Sequence, residues 1–453
     1  MSIQKASKQQ RGKESGYGVS WSALSGVGLL IGVALLLQVS SCANFKILGR
    51  NLDFMDESFI LSVKLSNAKG VKNLRGMVVE WDEKSGEVFS GDFTKVKNPV
   101  GTFGFFVRGS ENQYVMAYGD SNGNDLYDKG EPAWIHSDGS GNPVPVEFDE
   151  IEKKARVVGQ LSKSTIIPKR LISDVKRFAA GRTRQEIISR LNIPVALGDI
   201  ADLSDPRFSS ERGEQGLWQP VDFPVDSGIG VYFLEEYDPS RIPVLFVYGA
   251  AGSPQDWKTF FAKIDRKKYQ PWFYYYPTGR RLDEMGGALN RGVESLHDFY
   301  NFKQLHVVAH SMGGMVARSF VVKNVLDDGN SYITKIVTIS TPWGGHEAAA
   351  MGVKHAPEVV PSWRDMASGS DFQKDLYSRD LKGQVSHLLM YGTKNTKSMI
   401  LPEENDGTVS VESQTFAPVM SVAVRFKSFY SDHVGILANP EVIELTEEFL
   451  DGE

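Results

Sequence analysis

A strand–turn–helix pattern centred on Ser311 constrains this chain more than any other feature. The run Leu305–Ala309 is largely apolar, as in a buried strand, and the run Met315–Val321 is typical of a helix. Between them, the sequence His-Ser-Met-Gly-Gly predicts a sharp turn that holds a serine in strained backbone angles above the sheet. Such a turn needs small residues two places before and after the serine, and Ala309 and Gly313 meet that need, although Gly is more usual at the first place. The pattern predicts that Ser311 is a nucleophile.

The pentapeptide is common by chance, so the rest of the chain must supply the partners of a nucleophilic serine. A serine hydroxyl becomes reactive when a histidine takes its proton, and that histidine needs a carboxylate to orient it. After a turn of this kind the usual chain order is serine, acid, histidine. Of the eight histidines, His433 alone lies in the last strand–loop region, after the apolar run Phe426–Tyr430 and before a helix start at Asn439-Pro440. His433 is therefore the predicted base.

Asp406 is the predicted acid. It lies in the sequence Asp-Gly-Thr-Val, in which Gly407 permits a turn that points the carboxylate at the histidine. Glu403 and Glu404 are rivals by composition. Asp432 is adjacent to the histidine in sequence, so its carboxylate would reach the imidazole ring only with difficulty.

A third element of the pattern is a loop that offers backbone N–H groups to a developing oxyanion. The run Ile242–Tyr248 predicts a buried strand, and small residues follow it over Gly249–Ser253. One donor should be the N–H of Met312, the residue after the nucleophile. The other should come from this loop, with Ala250 preferred to Ala251.

These motifs, in this order, resemble the lipase and esterase branch of the α/β-hydrolases and the deacylases that act on glycolipid anchors. The resemblance covers roughly Leu217 to the C-terminus, and it includes a Thr-Pro-x-x-Gly turn at Thr341 and the Asp-Gly-Thr-Val loop of many lipases. Tyr248-Gly249 departs from the usual His-Gly, which puts loop packing rather than chemistry in doubt.

The resemblance implies an α/β-hydrolase with a mostly parallel, doubly wound sheet over residues 216–453 and a cap at about 346–382. It also implies a serine esterase that cleaves carboxylic esters, with lipids or other acylated molecules as substrates and no cofactor for catalysis. An acyltransferase or amidase on the same three residues is an alternative, because no residue decides which acceptor takes the acyl group. A non-catalytic, calcium-stabilised scaffold with a vestigial hydrolase domain is a further alternative.

The N-terminus has the features of an export signal. Basic residues precede an apolar run from Ala23 to Val39, and Val39-Ser40-Ser41-Cys42 follows. This tetrapeptide resembles the cleavage box of bacterial lipoproteins, which implies a signal over residues 1–41, acylation of Cys42 and a place on the extracytoplasmic side of the cell envelope. An uncleaved membrane anchor is the alternative, since the run is nearly long enough to span a bilayer.

Residues 42–150 are poor in helix signals and rich in short alternating runs, which predicts a small β-sandwich-like domain. One loop in it places oxygen-bearing residues at the offsets of a calcium-binding loop: Asp120, Asn122, Asn124, Leu126 (through its carbonyl), Asp128 and Glu131. The alternative is an Asx-rich turn without metal.

Residues 151–215 carry apolar residues at helical spacing and predict a helical linker or arm. The net charge of −6 and the ordinary globular composition of the chain, with 41% hydrophobic and 23% charged residues, give no basic face for nucleic acid.

Overall fold

The computed structural model describes residues 43–172, 190–395, 401–402 and 404–452. The chain divides into two units, Met1–Lys46 and Ile47–Glu453. The predicted signal over residues 1–41 and Cys42 lie outside the described residues. Within the described ranges, none of the helices combines the length and the apolar character needed to cross a membrane.

Two four-stranded sheets follow the first helix, α1 (residues 43–57). One has the order β7-β1-β4-β8 and the other β3-β2-β5-β6, and all neighbours are antiparallel except the parallel pair β1–β7. The strands are β1 (Ser58–Ser66), β2 (Leu74–Asp82), β3 (Glu87–Lys95), β4 (Thr102–Arg108), β5 (Gln113–Gly119), β6 (Ala133–Ile135), β7 (Lys154–Gln160) and β8 (Arg190–Ile193).

The two sheets share a core built from alternating residues. In β1, Leu61 and Val63 are fully buried while the residues between them are less buried, as expected where one face of a strand packs on a core. They join one cluster with Phe105 of β4 and Val78 and Val115 of the other sheet. The predicted β-rich region before the α/β sheet is therefore confirmed.

The prediction of a helical linker over residues 151–215 is wrong where strands lie, at β7 and over 190–200, and its residues 173–189 lie outside the described residues. β7 belongs to the β-sandwich, with Ala155 and Val157 buried at the two-residue spacing of a strand. β8 pairs with β4, and after Pro194 the chain enters β9, the edge strand of the larger sheet. Over 190–200 the strand partners, which are distant in sequence, decide the structure. Helical residues do occur nearer both ends of the range, at α2 (Lys169–Ile172) and α3 (Ser210–Trp218).

The larger sheet has eight strands in the order β16-β15-β14-β13-β11-β12-β10-β9. All neighbours are parallel except β10 and β12, which gives the mostly parallel sheet expected of an α/β-hydrolase. Its strands are β9 (Val195–Ile200), β10 (Ile229–Phe233), β11 (Ile242–Val247), β12 (Tyr269–Tyr275), β13 (Leu305–His310), β14 (Ile333–Ile339), β15 (Ser386–Gly392) and β16 (Arg425–Phe429).

Helices cover this sheet and connect its strands. The remaining α-helices are α4 (Asp222–Ser227), α5 (Lys258–Lys263), α6 (Leu282–Tyr300), α7 (Met312–Val322), α8 (Glu347–His355), α9 (Pro361–Met366), α10 (Asp371–Ser378), α11 (Val411–Gln414), α12 (Ala417–Met420) and α13 (Pro440–Asp451). Short 3-10 turns lie at Pro206–Phe208, Pro254–Trp257 and Gly435–Ala438, and a π-helical turn at Lys323–Asp327. The segment predicted as a cap contains α8, α9 and α10.

Parallel strands bring their carboxyl ends to one edge of the sheet, where loops carry ligands and reacting groups. Ser311 follows β13 at this edge, and the loop from Gly249 follows β11. Asp406 follows β15 and His433 follows β16. The fold thus gathers four segments that are far apart in sequence.

Candidate active site

Ser311 lies in a strained turn between β13 and α7. Its backbone angles are φ 53° and ψ −136°, and its N–H donates to the carbonyl of Ile339 at 2.8 Å. A Cβ on Gly313 would lie 2.3 Å from the carbonyl oxygen of Tyr248, and one on Gly249 would lie 2.6 Å from Cβ of Ser311. Real Cβ atoms do not approach so closely. The turn therefore requires glycine at 313, and the adjacent loop requires glycine at 249.

His433 connects the serine to Asp406. Its Nε2 lies 2.9 Å from Oγ of Ser311, and its Nδ1 lies 2.7 Å from Oδ2 of Asp406. The N–H of His433 also donates to the carbonyl of Asp406 at 2.8 Å, which fixes the two loops to each other. All three side chains are buried. In this geometry, Nδ1–H donates to the carboxylate, and Nε2 is free to accept the serine proton.

Asp406 is held as a charged group. Its Oδ1 accepts the N–H groups of Thr408 at 3.0 Å and Val409 at 2.8 Å, and Gly407 takes the positive φ of 96° that the tight loop needs. Burial alone would raise the pKa of Asp406, but its interaction with His433 and these two N–H groups outweigh burial and lower that pKa. The carboxylate therefore remains available to orient the imidazole.

Two of the rival acids, Asp432 and Glu404, form no hydrogen bond with the imidazole of His433 in the structure. Asp432 accepts the N–H of Gly435 at 2.8 Å and pairs with Lys394 at 3.1 Å on the surface. Glu404 is exposed. Glu403 lies outside the described residues.

His310 is a part of the site that the sequence analysis did not single out. Its Nε2 lies 2.8 Å from the carbonyl oxygen of His433, and the two rings are 4.8 Å apart. Burial, and then the neighbouring His433, lower the pKa of His310 to about 3. The ring is therefore neutral at ordinary pH and can donate Nε2–H to that carbonyl. Its position directly before the serine was the signal that could have found it.

The loop after β11 borders a cavity of about 180 Å³ that also touches Ser311 and His433. Ala250 and Ala251 both line it. The N–H of Ala251 donates to Oγ1 of Thr278 at 3.1 Å, so this runner-up donor is already occupied. Met312 opens α7, and the first N–H groups of a helix have no acceptor within it. This arrangement favours Ala250 and Met312 as the pair that faces an oxyanion.

Tyr248, which replaces the more usual histidine, fixes this loop in place. Its hydroxyl donates to the carbonyl of Tyr276 at 2.8 Å and accepts the N–H of the same residue at 2.8 Å. The hydroxyl of Tyr276 donates in return to the carbonyl of Tyr248 at 2.7 Å. The two rings stack at 4.9 Å. The departure from the family pattern therefore has a packing role.

The residues predicted as calcium ligands lie on the turn between β5 and β6: Asp120, Asn122, Asn124, Leu126, Asp128 and Glu131. Asp120 is fully buried, and its Oδ1 accepts the N–H groups of Gly123 and Asn124 at 2.8 and 3.0 Å. Its Oδ2 accepts the N–H of Asp125 at 3.1 Å and lies 3.4 Å from Arg75. This carboxylate is thus used inside the turn.

The other side chains of the turn also bond to one another. Glu131 accepts the N–H groups of Ser121 at 2.6 Å and Asp128 at 2.9 Å. Asn122 and Asn124 donate to the carboxylate of Asp128 at 2.7 and 2.9 Å. In the described part of the chain, no three His, Cys, Asp or Glu residues form a group that could hold a metal ion. The arrangement fits the second alternative, an Asx-rich turn, better than a calcium cage, and the calcium site is a prediction from the sequence alone.

Comparison with known protein families gives a match to part of this region. Residues 238–374 match the model of the family described as PGAP1-like alpha/beta domain, a range that includes Ala250 and Ser311 and ends before Asp406 and His433. No curated protein matches the sequence.

Similar solved structures include lipases. A Bacillus licheniformis lipase in its mature form is 17% identical, with a TM-score of 0.38, and the alignment covers 48% of this chain and 94% of that one. A Listeria innocua protein is 16% identical, with a TM-score of 0.37 and coverage of 47% and 95%. Phospholipase PlaB from Legionella pneumophila is 14% identical, with a TM-score of 0.32 and coverage of 38% and 44%.

Three observations support the same conclusion: the mostly parallel eight-stranded sheet, the strained turn at Ser311 and the family match. The larger sheet and its helices have the α/β-hydrolase fold, and residues 238–374 within them are similar to the PGAP1-like alpha/beta domain family.

Proposed function

We propose that this protein is a serine hydrolase that cleaves carboxylic esters through an acyl-enzyme. The observation that carries the proposal is the position of His433, whose two ring nitrogens lie 2.9 Å from Oγ of Ser311 and 2.7 Å from a carboxylate oxygen of Asp406. A histidine that joins a strained serine to a buried carboxylate is the arrangement that activates a serine nucleophile.

The proposed reaction follows from this geometry. Nε2 of His433 takes the proton of Ser311 as Oγ attacks the ester carbonyl, and the carbonyl oxygen becomes an oxyanion facing the N–H groups of Ala250 and Met312. The oxyanion collapses, the alcohol leaves with the proton from His433, and the acyl group stays on Ser311. Water, deprotonated by the same ring, then attacks the acyl group, and the ring returns this proton to Oγ of Ser311 as the acid leaves. Asp406 stabilises the imidazolium in both halves.

A lipid or another acylated molecule is the proposed substrate. The family match to a PGAP1-like domain supports this choice, since the resemblance to deacylases of glycolipid anchors rests on the same region. An exposed apolar residue of the cavity also supports it: Val434 lines the cavity and is 62% exposed. An exposed apolar side chain at the mouth of a site suits an apolar chain.

We further propose that the protein is anchored in the cell envelope, on the extracytoplasmic side, through an acylated Cys42. The basic N-terminus, the apolar run Ala23–Val39 and the following Val-Ser-Ser-Cys sequence support this location. A lipid anchor would hold the domain close to acylated substrates in a membrane.

Fluorophosphonate labelling and hydrolysis of a p-nitrophenyl ester by the purified protein test the proposed activity. Ser311→Ala should lose both signals, because the hydroxyl that forms the covalent bond is absent. The matched control is Ser421→Ala, which removes an exposed hydroxyl bonded only to the carbonyl of Pro418 and should keep both. Retention of ester hydrolysis by a folded Ser311→Ala protein would overturn the proposal.

A further inference from the structure

A second, smaller cavity lies behind the nucleophile helix α7. Its volume is about 10 Å³, close to that of one water-sized sphere, and three polar residues and four aliphatic ones line it. The polar residues are Arg318 of α7, Trp343 after β14 and His387 of β15. None of them touches the proposed reacting atoms.

Arg318 is a buried cation without a close counterion. Its side chain is only 6% exposed, and it donates from Nη2 to the carbonyl of Arg379 at 3.0 Å. The ring of Tyr377 lies 5.9 Å from its guanidinium carbon. Among the described residues no carboxylate pairs with it directly, Asp380 acts on it only through space, and its Nε–H has no acceptor. A buried charge of this kind is costly unless an opposite charge compensates it.

Trp343 adds a second unused donor to the same cavity. Its side chain is 1% exposed, and its Nε1–H has no acceptor within the described part of the chain. His387 does not add a second positive charge, because burial and then Arg318 lower its pKa to about 3. Its Nε2 is bonded to Oγ1 of Thr338 at 2.8 Å. The residues that line the cavity therefore supply one fixed positive charge, two buried N–H groups without an acceptor and aliphatic side chains.

This combination suits an anion better than a water molecule. A water molecule could accept from both donors, but its own two hydrogens would need acceptors, and His387 offers at most one free ring nitrogen. A monovalent anion accepts from every side and also compensates Arg318. We propose that this cavity is a binding site for a single halide-sized anion such as chloride. Because chloride is larger than water, its entry requires a small outward movement of the aliphatic walls.

Thermal unfolding of the full chain in different sodium salts at equal ionic strength tests this site. Chloride and bromide should raise the melting temperature by about 2 °C or more relative to gluconate, which is too large for the cavity. Trp343→Phe keeps an aromatic ring and removes one donor, so it should weaken this dependence. The matched control is Trp272→Phe, which removes another buried, unpaired indole N–H that does not line the cavity, and it should keep the full dependence.

A crystal grown with bromide supplies a readout that does not depend on the variants. An anomalous peak between Arg318 and the indole of Trp343 is the expected result. Equal melting temperatures of the wild type in chloride and gluconate would overturn the proposal. A bromide crystal whose cavity has no anomalous peak would do the same and would leave a buried water as the occupant.

Discussion

Two aspartates are neighbours of His433, Asp406 in space and Asp432 in sequence, and their surroundings give them different roles. Asp406 is buried, bonded to Nδ1 of the ring at 2.7 Å and supported by two backbone N–H groups, whereas Asp432 turns away toward Lys394. Asp406→Asn should therefore lower the rate of ester hydrolysis on the order of thousands-fold, because an amide favours the wrong tautomer of the imidazole.

Asp432→Asn is the matched control for that substitution, since it neutralises a carboxylate next to the same histidine. Its effect on the rate should be no more than a few-fold, because the carboxylate only caps a turn and pairs with an exposed lysine. The kcat of both variants, measured at the pH optimum of the wild type, decides the assignment. A severe loss in Asp432→Asn together with a mild one in Asp406→Asn would show that the acid is wrongly assigned.

At the residue scale, motif chemistry predicted which side chains meet, because a nucleophile turn, an acid loop and a late histidine have a fixed order in the chain. It did not predict the groups that hold them. His310 and Thr278 act through single hydrogen bonds to a backbone atom of another segment, and no spacing in the sequence reveals such contacts.

Among the elements, the turn between β5 and β6 gives the clearest prediction. Asp120 accepts three backbone N–H groups and faces Arg75, so the turn should be held by its own hydrogen bonds. EDTA should leave the melting temperature of the protein unchanged. Asp120→Ala should lower stability by about 2–4 kcal/mol with or without EDTA, since three backbone N–H groups and the buried Arg75 lose their acceptor.

Asn142→Ala is a control in the neighbouring exposed turn, where Asn142 bonds to Asp138, and it should cost far less than Asp120→Ala. A melting temperature that falls in EDTA for the wild type and not for Asp120→Ala would instead identify a calcium site.

The central strands β11 and β13 could be predicted because their apolar runs are continuous, as parallel strands buried on both faces require. The strands within residues 151–215 could not be predicted in this way. β8 and β9 are short, and their neighbours β4 and β10 come from different sheets, so local spacing gave no indication of the partners. Contacts distant in sequence decide such segments.

For the whole molecule, buried histidines predict a loss of stability in mild acid. Burial, as the largest cause, lowers the pKa of His306 to about 4 and those of His310 and His387 to about 3. Between the ordinary histidine pKa and these values, the unfolded chain binds protons that the folded chain does not. The free energy of unfolding should therefore fall as the pH falls from about 6.5 toward 4, by up to about 1.4 kcal/mol per pH unit for each histidine.

Urea unfolding at pH 7 and pH 5 measures this slope. His306→Gln should reduce the slope, and His355→Gln, which changes an exposed histidine on α8, should leave it unchanged. Equal stability of the wild type at both pH values would contradict the assignment of neutral, buried histidines.

The proposed anchor would attach the whole molecule to the membrane. In a bacterial host, metabolic labelling with a fatty-acid analogue should mark the wild type and fail for Cys42→Ala, because Cys42 is the one cysteine of the sequence and the proposed acceptor. Ser41→Ala keeps a small residue before the cysteine and should still be labelled. A Cys42→Ala protein that stays in the membrane with an intact N-terminus would favour an uncleaved anchor.

The most direct test of Ser311 as the nucleophile is to locate the acyl group during turnover. The protein is mixed with a p-nitrophenyl ester, quenched in acid within the burst, digested and analysed by mass spectrometry. The acyl-enzyme mechanism predicts that the added acyl mass lies on Ser311. The mass should be absent from Ser311→Ala and still present on Asp432→Asn. An acyl group on another residue, or steady turnover with no acylated peptide at any time, would contradict a mechanism through Ser311.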